Sequence, residues 1–149
     1  MAMRARTYTS ACALFANGGV DWATTDVRCL LLKSSYTYSA AHDFVNDVTS
    51  VGVNDWEISV SGYSRQTLGS FVAPTAANPS VCDSTADITF TSLAAGQTIG
   101  FVVFYIYNAS DASASLLFCM DEDTPTTYPT NGGNFVVALN ASGLFTVSA

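Results

Sequence analysis

Charge is what this sequence has least of. Only 11% of its residues are Asp, Glu, Lys or Arg, against about 25% in an average globular protein. Five residues are basic and twelve acidic, for a formal net charge of −7. A nucleic-acid binder needs a basic face to displace counterions from phosphate, so that class is excluded. Long apolar runs are missing as well. The longest, Phe101 to Ile106, falls far short of the roughly 18 residues a membrane helix takes. The start MAMRART has too little apolar length for a secretory signal, and no small-residue cleavage site follows it. Close cysteine pairs are also absent. Cys12, Cys29, Cys82 and Cys119 are widely separated, unlike a zinc knuckle or a redox motif. The single histidine, His42, leaves a Cys/His metal site short of ligands. Cys29 and Cys119 lie in apolar runs, where a thiol behaves as a small buried hydrophobe. All four cysteines are therefore expected as free thiols in a protein folded in a reducing cytoplasm.

What is present is apolar and strand-like. Hydrophobic residues make up 49% of the 149 positions and mean hydropathy is +0.29, which rules out disorder. A chain of this size forms one core burying roughly two-thirds of its unfolded surface. Thr7 or Thr9 is placed to cap a short helix carrying Tyr8, Ala11, Cys12 and Phe15, which Asn17-Gly18-Gly19 would end. A weaker helical turn is expected from Ser39 through Val45. The remainder reads as strands: Asp26 to Lys33, Trp56 to Ser61, Asp87 to Thr91, Ile99 to Tyr107, Ser115 to Met120, Asn134 to Leu139 and Leu144 to Val147. Gly69 to Ala73 is a candidate short edge strand, and Ser70 to Ser84, with Pro74 and Pro79, reads as an exposed loop. Turn signals separate the strands, among them Tyr128-Pro-Thr-Asn-Gly-Gly133. Seven or eight short strands at this spacing predict an all-β fold, an antiparallel β-sandwich or barrel with a short N-terminal helix. Residues 1–6 are expected as an N-terminal arm and 7–149 as a single β-sandwich domain. The predicted core is Trp56, Ile58, Val60, Ile88, Phe90, Phe101, Val103, Tyr105, Phe118, Phe135, Val137 and Phe145.

Candidate chemistry is sparse. His42 precedes Asp43, but adjacent side chains diverge on a helix or strand, so a structural histidine is expected rather than a general base. No Gly-x-Ser-x-Gly elbow offers a nucleophile. Asp121-Glu122-Asp123 lacks the spaced oxygens of a calcium loop and is expected as a solvated turn. Glu57 faces outward in the alternating segment, yet no second carboxylate can be paired with it for glycoside hydrolysis. Tyr36, Tyr38, Tyr63, Tyr105, Tyr107 and Tyr128 suit a sugar-stacking platform, or the ordinary preference of tyrosine for half-buried strands. No catalytic residue, cofactor or metal is expected.

The order of segments carries more than any single residue. A helix closed by Asn17-Gly-Gly leads into Val20-Asp-Trp-Ala-Thr-Thr-Asp-Val-Arg-Cys-Leu-Leu-Leu-Lys33 and then Tyr36 to Val48. Glu57-Ile-Ser-Val-Ser-Gly-Tyr-Ser-Arg-Gln-Thr-Leu68, the strands at Asp87 and Phe101, and Thr130-Asn-Gly-Gly-Asn-Phe-Val-Val137 follow. From Tyr8 to Val147 this order resembles a group of small virion proteins of tailed bacteriophages, usually encoded among head and tail genes. The resemblance implies a non-enzymatic structural protein of the virion, made and folded in the host cytoplasm. The expected role is a capsid decoration (cement) protein, a homo-oligomer with a trimer among the options, seated on the major capsid protein. Alternatives are a tail or neck component and a carbohydrate-binding domain on the virion surface. Neither nucleic acid nor membrane is expected as a partner. Arg4, Arg6 and Tyr8 are the expected partner contacts, since a basic arm on an acidic body can pair with a partner's carboxylates.

Overall fold

A computed structural model describes residues 3–50, 52–69, 71–72, 80–84, 86–122, 126–139 and 145–147, with side chains for all but 3, 71–72, 80–83 and 145–147. Two runs that are apolar on both faces form its middle. Strand β2 (Val27–Lys33) pairs antiparallel with β7 (Thr98–Ile106), from Val27↔Ile106 to Lys33↔Ile99. Cys29 to Leu32 and Val102 to Tyr105 are buried without interruption, as strands covered on both sides must be. β8 (Leu116–Glu122) pairs with the other edge of β7, and β1 (Met3–Thr7) pairs with β8 from Met3↔Glu122 to Thr7↔Phe118. β3 (Gln66–Thr67) completes the order β1-β8-β7-β2-β3, and β9 (Tyr128–Pro129) pairs with β7 at Thr98 and Ile99. Phe104 on β7 stacks on Phe118 of β8 with ring centroids 4.6 Å apart.

Two smaller antiparallel sheets complete the description. One joins β6 (Ile88–Phe90) to β10 (Phe135–Val137). The other orders β4 (Phe71–Val72), β5 (Ser80–Ser84) and β11 (Phe145–Val147) as β11-β5-β4. Tyr63 lies nearly parallel to Phe90 at 6.0 Å and receives the Leu31 N–H on its hydroxyl, which ties β6 to the large sheet. The expected all-β, antiparallel class is what the chain adopts. Among the described residues, β3, β4 and β9 are two residues each and eight strands are longer. The short helix is α1 (Thr9–Ala16). Its cap is Tyr8 rather than either threonine, and the Tyr8 and Ala11 side chains bury while Cys12 faces outward. Gly18 ends it at φ +67°, letting Gly19 N–H reach Leu14 O at 2.7 Å.

Several expected boundaries move, each for a local reason. The segment expected as an arm over 1–6 becomes, from Met3, the edge strand β1. Its sequence MRART alternates but offers only Met3 and Ala5 as apolar residues, too sparse to signal a core strand, and the partner that orders it lies far along the chain, reaching Glu122. The helical turn expected from Ser39 forms later, as α2 (Asn46–Thr49), because Asp47 Oδ2 accepts the Asp43 and Phe44 N–H groups at 2.8 and 3.0 Å. Trp56 to Ser61 is not a strand. It makes one bridge, Glu57↔Leu32, flanked by Lys33 N–H to Trp56 O and Ile58 N–H to Leu31 O. The chain then turns off at Gly62, whose φ of +87° and approach to Ser92 leave no room for a side chain. The loop expected over Ser70 to Ser84 holds β4 and β5. Pro74, Pro79, Asp123 and the side chains of Cys82 and Phe145 lie outside what is described. Of the remaining predicted core, Ile58, Ile88, Phe90, Val103, Tyr105, Phe118 and Val137 are buried, while Trp56, Val60, Phe101 and Phe135 pack partly buried against them.

Candidate functional site

Residues two apart on a strand share a face, so Arg4 and Arg6 both reach Asp121 on β8. Arg4 donates from Nε to Oδ1 (3.0 Å) and from Nη2 to Oδ2 (2.6 Å); Arg6 Nη2 donates to Oδ2 at 2.6 Å. The Arg6 guanidinium also lies 5.0 Å from the centre of the Tyr38 ring. Beside them opens a cleft of about 250 Å³ walled by Tyr36, Tyr38, Phe101 and Thr126. Asp121 and Glu122 line it and are buried in β8, which corrects the solvated turn expected there. Hydrogen bonds from Thr126 and Tyr128 hold the Glu122 carboxyl below the usual carboxylate range. Two guanidiniums thus face two carboxylates, and the cleft is electrically balanced.

Tyr8, the third expected contact, is fully buried and has no surface to offer a partner. Its hydroxyl lies 3.2 Å from that of Tyr36, which in turn lies 3.1 Å from His42 Nδ1. Burial, with the neighbouring Cys119 and Tyr36, pushes the Tyr8 phenol far above its ordinary range, while Tyr36 rises to about 12 chiefly through burial. His42 is therefore engaged with Tyr36 and packed against Trp56 at 6.0 Å. Asp43 does not orient it.

A second polar centre fastens the loops. Arg65 donates from Nε and Nη2 to Glu57, both at 2.7 Å, and from Nη1 and Nη2 to Asp111 at 2.7 and 2.8 Å. Glu57 also accepts the Tyr63 hydroxyl at 2.7 Å. Desolvation opposes the Arg65 charge, but the hydrogen bonds to Glu57 and Asp111 more than offset it and raise its pKa further. The same hydrogen bonding lowers the Asp111 carboxyl. Glu57 is thus half of a carboxylate pair after all, but a pair joined by a cation rather than one flanking a reacting bond. Arg28 pairs with Asp26 at 2.8 Å and lies over Tyr107, and Lys33 pairs with Asp55 at 3.4 Å. Every one of the five basic side chains is bound to a carboxylate of its own chain.

The six tyrosines share no platform. Tyr36 and Tyr105 are buried, Tyr38 and Tyr63 half-buried, and the exposed Tyr107 and Tyr128 adjoin opposite ends of β7. Among the described residues no three His, Cys, Asp or Glu side chains are grouped to hold a metal ion, and no helix is long and apolar enough to cross a membrane. Cys12, Cys29 and Cys119 are free thiols, and burial pushes the latter two up to about 12. Comparison with family models, curated proteins and solved structures finds no match. The Arg65 clamp escaped the sequence reading because its partners lie 8 and 46 residues away. The only local signal was an arginine in an otherwise uncharged stretch.

Proposed function

We propose that this chain is a structural protein of a tailed-bacteriophage virion, a decoration protein seated on the outside of the major capsid lattice as a homo-oligomer. The segment order that resembles such proteins carries the reading. The cohesion of the fold supports it: a large buried sheet, basic side chains paired internally, and Cys29 and Cys119 kept in the interior. The role is non-catalytic. Attachment is assigned to the β1 edge, where Arg4 and Arg6 keep part of their surface exposed, together with exposed apolar side chains such as Phe44 and Val136. Apolar contact supplies most of the affinity, since exposed ion pairs contribute only about 0–1 kcal/mol each. Multivalent seating on a symmetric shell amplifies what each copy contributes.

Reconstruction of particles of the phage encoding this chain is the test. Hundreds of copies on the head surface would fit decoration, an order of magnitude set by closed symmetric shells. A handful of copies at the tail or neck would move the role there, and absence from the particle would overturn the reading.

A further inference from the structure

A second cleft of about 250 Å³ lies where β9, β10 and the loop between them meet the end of β7, and among the described residues no charged one lines it. From its chemistry we infer that it is a binding site for a neutral sugar ring. The inference does not depend on the virion reading.

The wall is aromatic. Tyr128 is 37% exposed and sits 5.5 Å from the Phe135 ring, over the buried side chains of Leu93 and Ile99. The C–H face of a pyranose packs on such a surface. The rim is two carboxamides with fixed orientation. Asn131 Oδ1 accepts Gly133 N–H at 2.9 Å and Asn134 Oδ1 accepts Ser92 N–H at 3.0 Å. A backbone N–H can meet only the oxygen of an amide, so each Nδ2 is left as the donor available to a hydroxyl.

The loop carrying these amides is itself held. Thr130 N–H reaches Gln97 O at 2.8 Å, Gly132 N–H reaches Leu93 O at 2.6 Å, and Leu93 N–H reaches Gly133 O at 3.0 Å. Gly132 takes φ +88° and Ser92, across from it, φ +53°. A left-handed conformation is unfavourable for a non-glycine residue, and here the Asn134 carboxamide secures it. Donors fixed before the ligand arrives lose little entropy on binding. A nucleotide would find the same aromatic wall but no cation for its phosphate, because the five basic residues are all internally paired.

The test is an NMR titration of the isotope-labelled full chain with glucose, galactose, mannose and N-acetylglucosamine, and with adenosine in a parallel arm. At least one sugar should give saturable shifts of the Asn131 and Asn134 side-chain amides, with a roughly millimolar dissociation constant, as suits a ligand of so few atoms. Tyr128→Ala should weaken that binding about tenfold or more, Tyr128→Phe should retain it, and Tyr107→Ala should leave it unchanged. Because the Phe variant and the distant Tyr107 change separate ring loss from misfolding, a sugar response insensitive to Tyr128→Ala would overturn the proposal. So would adenosine shifting these amides while no sugar does, or silence of all four sugars up to about 50 mM, well above that expected constant.

Discussion

Replacing Arg65 by Met keeps most of the side-chain volume and removes the guanidinium that joins Glu57 to Asp111. The magnitude follows from how sheltered each partner is. The Glu57 side chain is only 16% exposed, so losing its counterion strands a partly buried carboxylate. A fully buried pair broken from one side costs about 3–5 kcal/mol. Asp111 is 39% exposed, and solvent screening discounts that half to under about 1 kcal/mol. Together these give a loss of about 2–4 kcal/mol, to be read from urea unfolding followed by far-UV circular dichroism at pH 7. Adding Glu57→Gln to the Arg65→Met protein should restore about 1–2 kcal/mol, because an uncharged amide is cheaper to leave without a counterion.

The pH dependence has a definite sign. Asp111 is held below its ordinary pKa in the folded state, so its contribution is complete above the unfolded value of about 3.9 and is lost as pH falls through the folded one. The stability gap between parent and Arg65→Met proteins should therefore narrow by the Asp111 share, under about 1 kcal/mol, as pH falls from about 4. An Arg65→Met protein within about 0.5 kcal/mol of the parent at pH 7, the scatter expected of a neutral surface change, would refute this account of the clamp.

Three further outcomes follow from the geometry. Gly62 and Gly52 both have φ near +88°, but a methyl at Gly62 would meet Ser92 O at 2.3 Å while one at Gly52 meets open space. Thermal melts should show Gly52→Ala losing about 1 kcal/mol and Gly62→Ala clearly more, about 3 kcal/mol or beyond; equal losses would mean the close approach is not rigid. In the native protein, peptide mapping after a short alkylation should find Cys12 modified while Cys29 and Cys119 stay protected until denaturant is added. Deleting residues 1–6 removes most of β1 and takes both arginines from Asp121, whose side chain is only 10% exposed. A loss of about 2–4 kcal/mol is expected, whereas a dispensable arm would leave the melting temperature unchanged.

The middle of the sheet was legible because its signal is redundant. β2 and β7 are apolar on both faces, so any reading frame of the run gives a buried strand, and turn residues mark their ends. The edges were not. Trp56 to Ser61 alternates correctly and buries Ile58, yet alternation reports which side is apolar, not how long a ladder lasts. That length is set by the turn at Gly62 and its contact with Ser92. β1 is silent for the opposite reason, since its order comes from backbone pairing and from a carboxylate more than a hundred residues away. The polar sites were hidden likewise. Tyr128 and Asn131 read as part of a turn and Asn134 as the start of a strand, and that reading does not show the two asparagine side chains pinned by their oxygens at one cleft.

The complete internal pairing of the basic residues has a colloidal consequence. The five basic side chains are matched against five carboxylates, Asp26, Asp55, Glu57, Asp111 and Asp121, so the field reaching solvent is that of the net −7 with no basic side chain left unpaired to break it. Copies of the chain repel one another at a distance in every orientation, which discourages disordered association while the protein is dilute. Crowding copies side by side works against that repulsion. Its range shrinks from about 30 Å at 0.01 M salt to about 10 Å at 0.1 M, so dense packing of this protein is governed by ionic strength, with closer spacing reached as salt rises.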